Sequence, residues 1–370
     1  MPVLTLPAAA AWLGDLAGEP LPGRRQEAWR FTDLAPLQAI AAELWSGPDP
    51  FSQLALPGGI SRIAAAEAQL LLDQGLQSTG SSAAWPVRLN RGASPPLLAL
   101  RVSGSVEPLQ LTIDAAAGQG LLALQLLLVL EEGSSLELLL HHHSQAANAT
   151  SLLTVAQLGR GARLNLGVLA PGDARASLLS HLAISQAPGS SLALTTAIGG
   201  WALSRLEPRI VQSEGAAHTR LRSLQLVAGK ELADTHSQVH FAGPEGQLDQ
   251  LHKVVADGAG RSVFNGAVRV PRQAQQTNAA QLSRSLLLSD RARVDTKPEL
   301  EIVADDVKCA HGATVSRLQQ NELFYLQSRG IAADQASRLL LRGYCDEVLR
   351  ELPAAAASAH PLQLLLRERP

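Results

Sequence analysis

From about Trp85 to about Ala313, apolar side chains recur at every second position. Leu109, Leu111 and Ile113 alternate with Gln110, Thr112 and Asp114. Leu136, Leu138 and Leu140 alternate with Ser135, Glu137 and Leu139, and Leu164, Leu166 and Val168 with Arg163, Asn165 and Gly167. A period of two places one set of side chains on one face, which reads as half-buried strands. Glycines at 133, 159, 172, 189, 199, 215, 229, 243 and 258 punctuate the run, mostly about 13–17 residues apart, wider than the roughly 8–12 residues of a simple sandwich. A stacked, solenoid-like sheet fits this rhythm better, because each rung buries its apolar face on its neighbours. A large sandwich has the same local period, so periodicity alone leaves both open.

The flanks differ. Residues 1–84 form an Ala/Leu-rich N-terminal helical region, broken by Gly47–Pro50 and Pro57–Gly59. Its clearest helix is Ser61–Leu72, with Ile63, Ala66, Leu70 and Leu71 on one face. Ser78–Ser82 reads as a flexible joint. Residues 85–315 are the strand-rich core and 316–370 a C-terminal helical region. There, Ser316 and Gln319 have capping-box spacing. A helix through Leu323, Phe324 and Leu326 should stop at Gly330. A second, Ala333–Leu352, carries a stripe of Ala336, Leu339, Leu340, Tyr344 and Val348 and ends before Pro353.

Aromatics are only 3% of the chain, so Leu, Ala, Val and Ile must build the core. Charged residues are 17%, below the usual quarter, which implies an apolar surface suited to partner proteins. A net charge of −2 argues against a dedicated nucleic-acid binder. Two cysteines, Cys309 and Cys345, exclude a disulfide scaffold and a four-thiolate metal or iron–sulfur site held by this chain alone. The start lacks a basic, secretory-type segment. Apolar runs stay short of the roughly 18 residues of a membrane span. The expectation is a soluble protein of a reducing compartment, with no nucleic acid and no membrane among its partners.

Phosphate-binding loops, His-Glu-x-x-His helices, Gly-x-Ser-x-Gly elbows and dinucleotide fingerprints do not occur. What remains is Lys308-Cys309-Ala310-His311-Gly312. On a strand, Cys309 and His311 share a face, with Cα atoms roughly 6–7 Å apart. A thiolate and an imidazole at that spacing reach one metal, but two ligands do not complete a tetrahedron. The rest would come from another chain, a small molecule or distant residues. Lys308 lies beside the pair and could lower the thiol pKa, though on a strand its side chain points to the opposite face. The plainer reading is a buried Cys beside a hydrogen-bonded His. His236, Gln238 and His240, near His252, read as a solvated strand face, with a metal or proton relay as the alternative. His141, His142 and His143 read as an exposed turn before a loop at Ser144–Thr150. Glu299, Glu301, Asp305 and Asp306 read as strand ends and turns rather than a hydrolase carboxylate pair. Cys345 reads as packing.

The stretch Pro298-Glu299-Leu300-Glu301-Ile302-Val303-Ala304-Asp305-Asp306-Val307-Lys308-Cys309-Ala310-His311-Gly312-Ala313-Thr314 closely resembles the C-terminal signature of the SufB/SufD family of iron–sulfur cluster assembly proteins. Leu323-Phe324-Tyr325-Leu326-Gln327-Ser328-Arg329-Gly330-Ile331 continues the match. Ala274–Thr277, Leu286–Asp290 and the N-terminal motif Arg24–Leu34 also look like that family. Within it the chain looks more like the SufD branch than the SufB branch, which has a longer N-terminal part and extra cysteines. The resemblance implies a mainly β fold: a right-handed parallel β-helix flanked by helical regions. It implies a non-enzymatic scaffold that pairs with SufB through the β-helix and docks the ATPase SufC, two copies per complex, through the C-terminal helical region. Leu323, Phe324, Tyr325 and Arg329 are the matching docking candidates. It implies a transient iron–sulfur cluster or iron shared with SufB, with Cys309 and His311 at the matching ligand positions, and ATP on SufC only. It leaves room for reduced flavin as electron source, for a homodimer in isolation, and for a plastid stroma instead of a bacterial cytosol. Ala310 replaces the usual Ser, and Gln319 stands where an acidic residue is frequent. A purely structural subunit and a β-helix carbohydrate-active enzyme are the rival readings.

Overall fold

The alternating segments stack as two sheets of a parallel β-solenoid of about 8 turns, with helices at both ends of the chain. This computed structural model describes residues 8–52, 54–115, 118–144 and 146–366. The outermost residues of both helical regions, and Gln145 in the expected loop, lie outside the described residues. One sheet stacks Ile60–Arg62, Leu97–Val102, Gly120–Leu130, Asn148–Leu158, Ser177–Gln186, Leu203–Gln212, Leu232–Phe241, Arg261–Val270 and Arg293–Ile302. The other stacks Leu109–Asp114, Ser135–His143, Arg163–Pro171, Ser191–Gly199, His218–Val227, Gln247–Ala256, Asn278–Leu287 and Lys308–Ser316. Among these strands only Ile60–Arg62 pairs antiparallel. Successive strands alternate between sheets, so each 13–17-residue interval is half a turn. Arg205 and Asp234, 29 residues apart, stand in register one full turn apart.

The alternation sorts side chains between the lumen and the outside. Leu124, Leu126, Leu128, Leu164, Leu166, Leu192 and Leu194 fill the lumen. Each buried Leu contributes about 1.5–3 kcal/mol, so repetition replaces the missing aromatics. The turns stack as tightly as the strands. Gly200 has φ +78°, and a Cβ there would lie 2.5 Å from the Gly172 carbonyl oxygen of the adjacent turn. Only glycine satisfies both the positive φ and that approach.

Both outer faces are partly covered. Leu13, Trp29, Leu34, Leu37, Trp85 and Leu89 of the N-terminal region pack on Leu121, Ala149, Leu179, Leu203 and Leu232 of the first sheet. Cys345, Val348, Leu352, Ala356 and Leu365 pack on Leu139, Leu169, Ala197, Leu224 and Leu251 of the second. The packing reading of Cys345 holds: it is fully buried.

Several local expectations change. Trp85–Gly92 is a helix with Pro86 in its first turn, and the adjoining parallel strand starts only at Leu97. The helix expected over Ser61–Leu72 is a short strand followed by Ala65–Ser78, which buries Ala68, Leu72 and Leu76 and leaves Leu70 exposed. Ser78–Ser82 is no flexible joint: the Thr79 hydroxyl donates to Ser81 Oγ at 2.8 Å, and the Ser81 amide closes on the Leu76 carbonyl. Ser316 is not a cap, because it belongs to the last strand; the helix Gln320–Ser328 starts without a side-chain cap. That helix does end at Gly330, with φ +87°. The next spans Ala333–Leu349, and Leu339 in its supposed stripe is exposed.

Candidate functional site at the terminal rung

Lys308–Ser316 pairs on one side only, with Asn278–Leu287. Cys309 stands opposite Ala279 and His311 opposite Gln281, one rung inward. Ala279 belongs to the lumen core and Cys309 packs against that core, so both candidate ligands lie on the lumen face. Cys309 is half-buried and His311 exposed. Burial pushes the Cys309 thiol up, with a backbone hydrogen bond at Ala279 opposing. Lys308 projects from the opposite face, as the strand alternation implied, and does not lower the thiol pKa. A metal would itself have to displace the thiol proton. Among the described residues no group of three or more His, Cys, Asp or Glu side chains could hold a metal ion. Cys309 and His311 supply two of the four ligands a tetrahedral site takes.

The rung around them is open. Val303 is 58% exposed and Val315 52%. Among the described residues the outer edges of Arg293–Ile302 and Lys308–Ser316 carry no further strand. Unpaired strand edges are normally covered, charged or bulged. Here apolar side chains flank one. Glu301 pairs with Arg269 at 3.3 Å and Glu299 with Lys297, while Asp306 sits in a bend, where its backbone N–H donates to Gln275 Oε1 and its carbonyl accepts from the Gln276 amide. These carboxylates are strand-end and turn residues, as read from the sequence.

Leu323, Phe324 and Tyr325 sit on the helix Gln320–Ser328, which buries none of its residues, and Arg329 follows as its C-cap. Phe324 is 73% exposed and Tyr325 58%. The Arg329 guanidinium lies 5.3 Å from the Tyr325 ring centroid.

The histidines scatter. His142 is not in an exposed turn: it ends a strand inside the lumen, 5.0 Å from the Trp201 ring, and burial holds its imidazole down to about 3. His252 is buried in the lumen against Phe264, with ring centroids 4.2 Å apart, and is likewise held down to about 3. His236 lies on the outer face of the other sheet, 3.1 Å from Asp234. That face is half-buried rather than solvated, and its histidines do not join His252 in a relay.

One assembly went unnoticed in the sequence. Arg205, Glu207 and Asp234 are almost fully buried on the outer face of the first sheet. Arg205 Nε donates to Glu207 Oε1 at 2.7 Å, and its Nη1 to Asp234 and to the Ala28 carbonyl. Thr32 donates to Asp234, His181 Nδ1 lies 3.1 Å from Glu207, and the Trp29 ring covers the guanidinium at 3.7 Å. The N-terminal motif is therefore a lid on a buried ion cluster. Its Trp29 and Thr32 were the available signal, because an aromatic and a hydroxyl flanked by charge in a short segment need partners.

Residues 112–344 match the family described as SUF system FeS cluster assembly, SufBD core domain. An iron–sulfur cluster assembly SufBD family protein of Synechocystis is 43% identical over 178 residues, 48% of this chain and 39% of that protein. A chloroplastic protein of Arabidopsis thaliana is 42% identical over 171 residues, 46% of this chain and 36% of its own length. The iron–sulfur cluster assembly protein SufD of Escherichia coli is 39% identical over 133 residues, 36% of this chain and 31% of its own. The matches thus span about two fifths or less of these relatives.

Proposed function

Because the chain belongs to the SufBD core-domain family of SUF-system iron–sulfur cluster assembly proteins, we propose that it is a scaffold subunit whose terminal rung pairs with SufB and holds a nascent cluster or its iron. The carrying observation is the pair Cys309 and His311 on the lumen face of an unpaired terminal strand flanked by exposed Val303 and Val315. A SufB edge strand would extend the sheet and bring the missing ligands. Cys309 would supply a thiolate once the metal displaces its proton, and His311 a neutral imidazole nitrogen. The cluster is cargo, passed on rather than retained.

In this reading the helix Gln320–Ser328 receives SufC through Leu323, Phe324, Tyr325 and Arg329. ATP binding draws two SufC copies together and pulls on this helix and its SufB counterpart, and the terminal rungs shift relative to one another. Such coupling requires two states that differ in SufC contacts. ATP would bind on SufC only, and the setting would be a cytosol or a plastid stroma. Among the described residues no helix is long and apolar enough to cross a membrane.

A second reading, in which the pair only packs the interface, draws on the half-burial of Cys309 against the core. Reconstitution with SufB and SufC separates the two. Iron and sulfide bound per complex are measured for wild type and for Cys309→Ala/His311→Ala. A large loss in an intact complex is expected; unchanged loading would reduce the pair to packing.

A further inference from the structure

We propose that Gln281 is the positioning residue for His311, its side-chain oxygen accepting the imidazole N–H so that the other ring nitrogen faces the cargo metal. This deepens the proposed function and rests on His311 being a ligand. Gln281 and His311 are partners in the parallel register, adjacent strands being about 4.8 Å apart. Both lie on the lumen face. The Gln281 side chain is almost fully buried, yet its Oε1 has no hydrogen-bond partner.

That amide is engaged from behind. Gln281 Nε2 donates to Gln250 Oε1 at 2.9 Å, and Gln250 Nε2 donates to Ser237 Oγ at 2.8 Å. With the nitrogen committed, the free end is an acceptor. Space for it is made by Gly266: a Cβ there would fall 2.4 Å from Gln281 Nε2 and 2.9 Å from its Cδ. Three residues on three other strands thus serve one buried amide whose oxygen is left open. A buried acceptor without a partner in a native structure calls for a reason. Metal-bound histidines nearly always give their second N–H to a carbonyl, a carboxylate or water, which fixes tautomer and ring orientation. Gln281 offers such a carbonyl one rung behind the candidate ligand.

The test uses the full-length chain with 15N-labelled histidine, alone and assembled with SufB and SufC. Imidazole nitrogen shifts of His311, recorded where the ring is neutral, report its tautomer. Wild type should hold one tautomer predominantly. Gln281→Leu should release it, Gln281→Glu should restore it, and Gly266→Ala should release it without altering Gln281 itself. Zn2+ titration of the assembled complex should show about 10–100-fold weaker binding for Gln281→Leu. Identical tautomer populations in wild type, Gln281→Leu and Gly266→Ala overturn the inference. If Gln281 sets the tautomer but His311→Ala leaves iron loading intact, the hydrogen bond stands and the ligand reading fails. If loading needs His311 but its tautomer ignores Gln281, only the positioning role fails.

Discussion

Arg205 shows how much a single side chain can organise when its charge is removed from water. Its guanidinium is held by Glu207 and Asp234 and covered by Trp29; burial opposes the charge, and the two carboxylates outweigh it and raise the Arg205 pKa. Both carboxyls sit below the usual range because Arg205 outweighs their burial, with His181 assisting at Glu207 and His236 at Asp234. Removing one partner strands a buried charge, which costs about 3–5 kcal/mol. Asp234→Ala should therefore lose stability of that order in urea unfolding and loosen the Thr32 segment. Glu27→Ala, which removes only an exposed bridge to Lys297, should leave the urea midpoint nearly unchanged. A loss for Asp234→Ala no greater than for Glu27→Ala would refute a structural role for the cluster. The buried histidines have a separate pH signature. His142 and His252 are held to about 3 against an ordinary 6.5, so the unfolded chain takes up protons that the folded chain refuses. Stability then falls as pH drops from about 6.5 toward 3, by roughly 1 kcal/mol per pH unit for each histidine. The depressed carboxyls contribute above about pH 4 and lose that contribution only as pH falls through their lowered values, so they leave the pH 7–5 interval to the histidines. His142→Gln should flatten the decline in urea midpoint between pH 7 and 5. A slope equal to that of wild type would contradict it.

At the scale of elements, two C-terminal helices are anchored very differently. Ala333–Leu349 is fastened to the second sheet by Lys253, whose buried ammonium donates to the Tyr344 carbonyl at 2.6 Å and to Glu347 at 2.5 Å. Tyr344 in turn donates to the Arg284 carbonyl at 2.6 Å. Gln320–Ser328 has no buried residue and is held chiefly through the helix that follows. A pull on it is therefore relayed through the anchored helix to the rungs carrying Lys253 and Arg284. Phe324→Ser should leave unfolding within about 0.5 kcal/mol of wild type, as an exposed substitution does, yet sharply weaken SufC binding in calorimetry. Undiminished binding would move the docking surface elsewhere. The sequence was informative where burial has one cause. Leu164, Leu166 and Val168 alternate because one sheet face meets the lumen, and Gly330 stops a helix through its own φ. It was opaque where burial depends on a distant segment. Leu70 and Leu72 look alike until the sheet beneath them decides which is covered. Arg205, Glu207 and Asp234 look like solvated strand positions until the N-terminal motif folds across them. Cys309 and His311 were found from spacing and resemblance. Gln281 was not, because its importance comes from a register that only stacking creates.

Across the whole molecule the lumen changes character along its axis. The early rungs are rich in leucine, with His142, Thr150, Thr154 and Ser180 among it, whereas the late ones hold the denser polar set Ser223, Gln225, Ser237, Gln250, His252, Gln281, Ser283 and Ser285. In a stacked array each rung is stabilised chiefly by its neighbours, and a terminal rung has only one. This solenoid therefore ends where its lumen is least apolar, with a free strand edge and with Val303 and Val315 in water. The arrangement suits a rung completed by a second protein. In the absence of SufB, the nearest substitute is a second copy, whose terminal strand carries the same edge and the same valines. A two-fold contact of that kind is self-complementary and closes, so it gives dimers rather than fibres. Light scattering of the chain alone should show a concentration-dependent dimer. Val315→Asp should shift it to monomer by placing charge on the edge, and should also weaken the proposed pairing with SufB, which would use the same surface. Amide exchange in Lys308–Ser316 should be fast in that monomer and slow in the complex, because frayed terminal elements open at little cost. A dimer that survives Val315→Asp, or equal exchange in both states, would show that the terminal rung is not where this solenoid is completed.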